Sequence, residues 1–374
     1  MEERSSRRPL TPAERQRRNR RIRLQRQRRV RRMIIMSAVA FLLLIVLIFL
    51  VAGKIKKAGN KEKPVESSSV QVTLPVPSES EAPIVVETES VSETAADPAY
   101  GTVSNQVYQA SADGSTASLP GEVVSERAIL VDVNQDRIIA SRGSGERMNP
   151  ASMTKVLTVL VAAEHLKNLD DTFTINTEIT DFSYRNDCSN VGFADGETVT
   201  IRDLFYGTIL PSGADAALGL AIYTAGSQEA FVELMNQKLD SLGLSGTAHF
   251  TNCVGLYDDN HYCTVYDMAM ILEAAMDNEL CKEVLSAHTY TTSSTAEHPE
   301  GIEISNWFLR RIEDKDSGGT VVAGKTGYVV QSGNCAVSYA TDSTGASYVC
   351  ATSNSTSGWR CIYDHVAIYK QFLK

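Results

Sequence analysis

Three short stretches hold the residue types that nucleophilic chemistry needs: Ser152-Met153-Thr154-Lys155, Ser212-Gly213-Ala214 and Lys325-Thr326-Gly327. A serine hydroxyl is a weak nucleophile until a base takes its proton. A lysine amine whose pKa is lowered by desolvation can be that base. Ser152 and Lys155 are three residues apart, and on a helix such positions share a face at about 5–6 Å between Cβ atoms, so the amine reaches the hydroxyl. The head of a helix also favours the negative charge that develops when a carbonyl is attacked. Taken singly, the same spacing describes an ordinary helix start with a surface lysine. Ser212 lies in a break set by Pro211 and Gly213. It is placed to relay a proton between Lys155 and a leaving amine, although a plain helix–helix turn has the same composition. Lys325-Thr326-Gly327 stands in an apolar run that reads as a strand. A strand edge beside the nucleophile accepts a peptide as an extra strand, with Lys325 and Thr326 on its terminal carboxylate. Gly327 leaves room for close backbone approach.

Residues 319–326 also spell the phosphate-loop pattern G-x-x-x-x-G-K-[ST]. That loop follows a strand and opens a helix, whereas here strand-forming residues flank Gly324-Lys325 on both sides. Neither ATP nor GTP is expected to bind.

The elements that must position these residues follow from periodicity and punctuation. Residues 128–133 and 137–140 read as a hairpin about a polar turn. Pro150 opens an apolar helix from Ala151 to about Lys167. Thr200 and Asp203 form a capping-box start for residues 201–210, which Pro211 stops. Helices are expected over 215–225, ending at Gly226, and from Ser227 to about Leu242 with Phe231, Leu234 and Met235 on one face. Thr264 and Asp267 repeat the start signal before residues 268–276. Strands return at 321–330, 334–340 and 347–352, and a helix closes the chain over 362–373. Helices between an N-terminal hairpin and a C-terminal antiparallel meander make the fold class α+β.

Charge divides the chain. Residues 1–32 hold fourteen Arg against three Glu, and residues 33–53 carry no charge at all. At ~1.5 Å per residue that uncharged stretch spans about 30 Å, the thickness of a bilayer core. The arginines before it and only Lys54, Lys56 and Lys57 closely after it predict an uncleaved signal anchor with its N-terminus in the cytoplasm. Residues 1–57 have 17 basic and 3 acidic residues, net +14; the remaining 19 basic and 42 acidic residues give −23, which sums to the overall −9. So acidic an exported part makes nucleic acid an unsuitable partner. Residues 54–121, rich in Ser, Glu, Pro, Ala and Thr, read as a disordered extracytoplasmic linker reaching on the order of 45 Å. The globular domain is expected over 122–374. All seven cysteines fall in it; an odd number leaves at least one thiol unpaired or intermolecular, and all of them are equally compatible with a reduced core. None has C-x-x-C spacing and the histidines do not cluster with them, so no metal site is expected.

Taken together, residues from about 124 to 374 resemble the low-molecular-mass penicillin-binding proteins, the serine-type D-alanyl-D-alanine carboxypeptidases. Their S-x-x-K, S-x-N and K-T-G motifs are shared with class A β-lactamases. The likeness extends to Pro150-Ala151, Leu210-Pro211, Asp215-Ala216-Ala217, Phe231 to Asn236, Gly255-Leu256-Tyr257-Asp258, His261-Tyr262-Cys263-Thr264 and Tyr328. The resemblance implies a β-lactamase/transpeptidase-like fold, an antiparallel sheet flanked by helices with a mostly helical subdomain. It implies that Ser152 attacks the penultimate D-Ala of a peptidoglycan stem peptide with Lys155 as base. The N–H groups of Ser152 and Tyr328 would form the oxyanion hole. Ser212 would pass the proton to the departing D-Ala, and Lys325, Thr326, Gly327, Tyr328 and Gly213 would bind substrate. β-Lactams would acylate Ser152 and inhibit; no cofactor is implied.

Two departures stand out. Ala214 occupies the place of an Asn whose amide binds substrate and contacts the motif lysine, a loss worth ~1–3 kcal/mol, which slows but removes no bond-making group. Many relatives also carry a C-terminal β-rich domain and membrane helix, whereas this chain is expected to end with the catalytic domain. The alternatives are an impaired penicillin- or wall-binding homologue, with Ala214 as the mark of decay, and a β-lactamase. The latter needs a Glu-x-x-Leu-Asn context that is not found between the second and third motifs.

Overall fold

The apolar run Ala128-Ile129-Leu130-Val131 does not alternate with polar residues, and the computed structural model, which describes residues 101–373, gives the reason. The run forms β1 (Arg127–Asp132), whose successive side chains point to opposite faces and are buried on both. Ile129 and Val131 join the main core, while Ala128 and Leu130 join a second core on the other face. A tight turn leads into β2 (Arg137–Arg142). A 3-10 turn, Ala151–Met153, then leads into α1 (Thr154–Glu164), which is buried along its whole length.

The helical part follows: the short pair β3 (Thr172–Thr174) and β4 (Thr198–Thr200) enclosing α2 (Thr177–Arg185), then α3 (Ile201–Ile209), α4 (Ala214–Ala225), α5 (Gln228–Ser241), α6 (Val265–Met276) and α7 (Glu279–Ser286). The second small pair, β5 (Thr289–Thr291) and β6 (Glu303–Ser305), and the single turn α8 (Leu309–Ile312) precede the meander β7 (Thr320–Val329), β8 (Gly333–Thr341) and β9 (Ser347–Ser355). Helix α9 (Gly358–Phe372) closes the chain. The main sheet has the order β2-β1-β9-β8-β7, antiparallel throughout, with β7 at an edge. Helix α6 packs on one face; α9 covers the other through Ile368 and Tyr369. The class is α+β, as the motif order predicts.

Both predicted capping boxes form. Asp203 N donates to Thr200 Oγ1 at 3.1 Å and Asp267 N to Thr264 Oγ1 at 3.0 Å, and each aspartate accepts its threonine's N–H in return. Boundaries differ where side chains intervene. Helix α1 stops at Glu164, whose carboxylate forms a buried pair with Lys238 at 2.5 Å. Helix α9 begins four residues earlier than apolar periodicity suggests, at a Ser357 cap that accepts from Arg360 N.

Composition assigns residues 101–121 to the linker, yet they belong to the fold. Tyr108 and Leu119 are buried. Ser111 and Ala117 bridge to Arg137 and Ala140 of β2. Ser104 donates its N–H to Glu164 and accepts from Lys238 Nζ, closing over their ion pair. A polar average cannot reveal two apolar side chains and one backbone unit that find seats. The expected tail at 1–32, the anchor at 33–53 and the linker up to residue 100 lie outside the described residues.

Candidate active site

The turn that carries Ser152 is built by polar side chains from distant parts of the chain. Asn149 accepts from Ala151 N at 2.9 Å and donates to the His261 carbonyl at 2.8 Å. His261 Nδ1 accepts from Thr251 N at 3.0 Å, so its proton sits on Nε2 and is donated to Thr154 Oγ1 at 2.8 Å. Burial pushes the His261 pKa down to about 3, which keeps the ring neutral. Asn252 Oδ1 accepts the N–H groups of Val254, Gly255 and Leu256. This holds Gly255 against the nucleophile turn: at φ +87°, a Cβ there would stand 1.9 Å from the Ala151 carbonyl oxygen.

Lys155 Nζ donates to Ser152 Oγ at 3.3 Å and to the Val254 carbonyl at 2.6 Å. Burial lowers its pKa to about 8, the shift a general base at neutral pH requires. On the other side of the cleft Ser212, in the left-handed region at φ +64°, accepts from Lys325 Nζ at 2.9 Å. Lys325 also donates to the Thr326 carbonyl at 2.9 Å, and burial together with the nearby Lys155 charge holds its pKa well below the usual lysine range. The site thus holds two hydroxyl–amine pairs.

Strand β7 runs unbroken through Lys325-Thr326-Gly327-Tyr328, so the segment with the phosphate-loop spelling forms no phosphate-cradling turn. As an edge strand it leaves a row of backbone groups for a peptide to pair with. A Cβ at Gly327 would come within 3.0 Å of Ser152 N and 2.8 Å of Cys335 Sγ, so only glycine leaves the nucleophile's N–H accessible. A cleft of about 630 Å³ is lined by Ser152, Lys155, Ser212, Thr326, Gly327 and Tyr328. The three motifs, far apart in sequence, therefore converge. A more open concavity of about 760 Å³ along α5 contains none of them.

Gly213 and Lys325, both expected to bind substrate, also have structural partners. Gly213 stands beside Ser212 at the head of α4. It is a packing glycine whose Cβ would strike Asp215 Oδ1, the Gly207 carbonyl and Val191, each within 2.8 Å. Lys325 turns its ammonium to Ser212 Oγ, which lines the cleft, and to the Thr326 carbonyl.

Around Ala214 a segment absent from the sequence reading is laid down. Ala214 N donates to the Ser189 carbonyl at 2.8 Å, and the buried Asp215 carboxylate accepts from Val191 and Gly192 N–H. Asn186 to Ser189 consequently line the cleft beside the second motif, and Ala214 is only 1% exposed. Asn252 could have been found from the turn signal Asn252-x-x-Gly255; His261 was visible only within the stretch His261-Tyr262-Cys263-Thr264 of the family resemblance, with no role attached. All seven cysteines are free thiols, six of them buried.

Fold and site define the class: a serine–lysine centre at the head of a buried helix, bordered by the edge strand of an antiparallel sheet. Residues 113–352 match the family model described as D-alanyl-D-alanine carboxypeptidase, and the chain belongs to that family. It is 32% identical over 164 residues to the D-alanyl-D-alanine carboxypeptidase DacF of Bacillus subtilis, covering 44% of this chain and 41% of that protein. To DacA of Escherichia coli K12 it is 35% identical over 164 residues, covering 42% and 40%. The aligned stretches thus span about two-fifths of these relatives' length. Among solved structures, the Streptomyces K15 DD-transpeptidase superposes with TM-score 0.62 at 26% identity, over 69% of this chain and 100% of that one. The D-alanyl-D-alanine carboxypeptidase of Mycobacterium tuberculosis H37Rv superposes with TM-score 0.60 at 25% identity, over 70% and 96%.

Proposed function

We propose that this protein is a serine-type carboxypeptidase that removes the terminal D-Ala from peptidoglycan stem peptides. The observation that carries this is the buried Ser152–Lys155 pair, opening into a cleft whose wall is an edge strand. Ser152 Oγ attacks the carbonyl carbon of the penultimate D-Ala and its proton passes to Lys155 Nζ. The oxyanion is held by the N–H groups of Ser152 and Tyr328. The C–N bond then breaks, the departing amine takes a proton from the Ser212 hydroxyl, and Lys155 restores that proton through the neighbouring groups. Water adds to the acyl ester and releases the shortened peptide. A β-lactam acylates the same oxygen and stays there.

The cleft favours this reading over a β-lactamase. Among the described residues lining it, Asp187 is the one carboxylate, so no glutamate stands ready to activate a deacylating water. The likeness to a DD-transpeptidase supports a variant of the second step, in which an amine replaces water as acyl acceptor. We further propose that residues 33–53 anchor the protein in the cell membrane, with the catalytic domain outside.

The test is D-Ala release from an acyl-D-Ala-D-Ala peptide. The intact chain should release it, and Ser152→Ala should reduce release by at least about 10³-fold. Release that survives Ser152→Ala would sink the proposal.

A further inference from the structure

The cleft contains a second, unused cation. Lys155 and Arg311 are the two basic side chains among the described residues that line it, and Lys155 is committed to Ser152 and Val254. Arg311 projects from α8 with its guanidinium near two indoles, 4.7 Å from the Trp307 ring centroid and 5.3 Å from that of Trp359. Both tryptophans are 52% exposed, a large apolar surface to leave in water unless something covers it. No carboxylate, carbonyl or hydroxyl among the described residues accepts from the guanidinium; Lys315, which also approaches Trp359, pairs instead with Asp314. Gly358 lies close to both Arg311 and Asn334: a Cβ there would be in ordinary contact, 3.6 Å from Arg311 Nη1 and 3.5 Å from Asn334 Oδ1. Asn334 in turn sits opposite Tyr328 across β7 and β8. Arg311 therefore lies at the Tyr328 end of the strand along which a peptide would pair.

Cation–π contact with an indole uses no N–H acceptor, so the guanidinium's N–H fork stays available. That fork matches the two oxygens of a carboxylate. Lys325, the motif cation expected to meet a carboxylate, already donates to Ser212 Oγ and the Thr326 carbonyl.

We propose that Arg311, beside Trp307 and Trp359, is a carboxylate-binding subsite of this cleft. Its ligand is a carboxylate of the bound peptide, supplied by the free C-terminus or by an acidic side chain further along. The proposal rests on the peptidase reading for the kind of ligand, but its test does not depend on turnover.

Trp307 and Trp359 are the chain's two tryptophans, so its indole emission reports on this subsite alone. In the full chain carrying Ser152→Ala, titration with a D-Ala-D-Ala peptide that has an acidic side chain should shift that emission saturably. Arg311→Gln should weaken the apparent Kd about tenfold to hundredfold. Arg311→Lys, which keeps the charge but not the planar fork, should recover only part of the loss. Amidating the C-terminus and amidating the side-chain acid in separate peptides identifies the source: the amidation that weakens binding marks the carboxylate held. Unchanged Kd in Arg311→Gln, unchanged Kd with both amidated peptides, or no emission change at about 1 mM peptide, the upper end of ordinary enzyme affinities, would each overturn the subsite. D-Ala release by the unsubstituted chain is scored apart from this. No release with an Arg311-dependent response sinks the peptidase reading alone; release with an Arg311-independent Kd sinks the subsite alone.

Discussion

Lys155 sets the chemistry at the residue scale. Its amine is withdrawn from water and lies beside one hydroxyl and one carbonyl, so the neutral form is favoured and the pKa falls to about 8. Only the neutral amine can take the serine's proton. On the proposed mechanism the rate of Ser152 acylation should therefore be low in acid and rise as pH climbs through that value. A fluorescent penicillin followed in stopped flow should acylate about fifty times faster at pH 8 than at pH 6, in proportion to the neutral fraction. A profile flat across that range would remove Lys155 from the role of base. His261 does not contribute to this profile, because burial keeps it neutral throughout. Ala214 is the other residue whose meaning the structure sharpens. Where relatives place an amide, this chain has a methyl group packed against the 189–192 segment, leaving no gap. Ala214→Asn should therefore overpack, lowering stability by about 1–3 kcal/mol in thermal unfolding and giving no gain in acylation rate. A stable, faster variant would show instead that the alanine is a lesion.

At the scale of elements, each motif is placed by a different physical device. Helix α1 is apolar on every side because it runs through the core, which makes the serine–lysine face at its head rigid. The second motif sits in a turn whose strain at Ser212 is held by Lys325, and the third is held by sheet pairing. Residues 101–121 have a comparable part at the far end of α1, where Ser104 closes over Glu164 and Lys238. A chain beginning at residue 122 should be less stable than one beginning at 101 by roughly 2–4 kcal/mol, seen as a Tm about 5–10 °C lower. Equal Tm values would show the segment to be incidental. Apolar periodicity, proline and the two capping boxes made the long helices and the meander legible in the sequence. The short pairs β3–β4 and β5–β6 and the helices α2 and α7 were not: three-residue strands have no period to detect, and α2 exposes most of its surface. The motif serines and lysines were legible by spacing. The supporting roles of His261 and Asp215 were not, since each acts on backbone groups brought near only by folding, while Asn252 was marked by its local turn signal alone.

For the whole molecule, a basic N-terminal part with an uncharged span precedes an acidic remainder whose cleft holds Ser152 and Lys155. The charge division, +14 over residues 1–57 and −23 over the rest, fits the proposal that the two parts work in different surroundings. Everything functional, from the edge strand to the proposed Arg311 subsite, presumes that Ser152 Oγ becomes covalently bonded to the acyl group of its ligand. The most direct test is intact-mass measurement of the chain after brief exposure to a penicillin, followed by peptide mapping. The account predicts one added penicillin mass per chain, located on the peptide containing Ser152 and absent from Ser152→Ala. No adduct at any pH from 6 to 9, or an adduct that persists in Ser152→Ala, would contradict it.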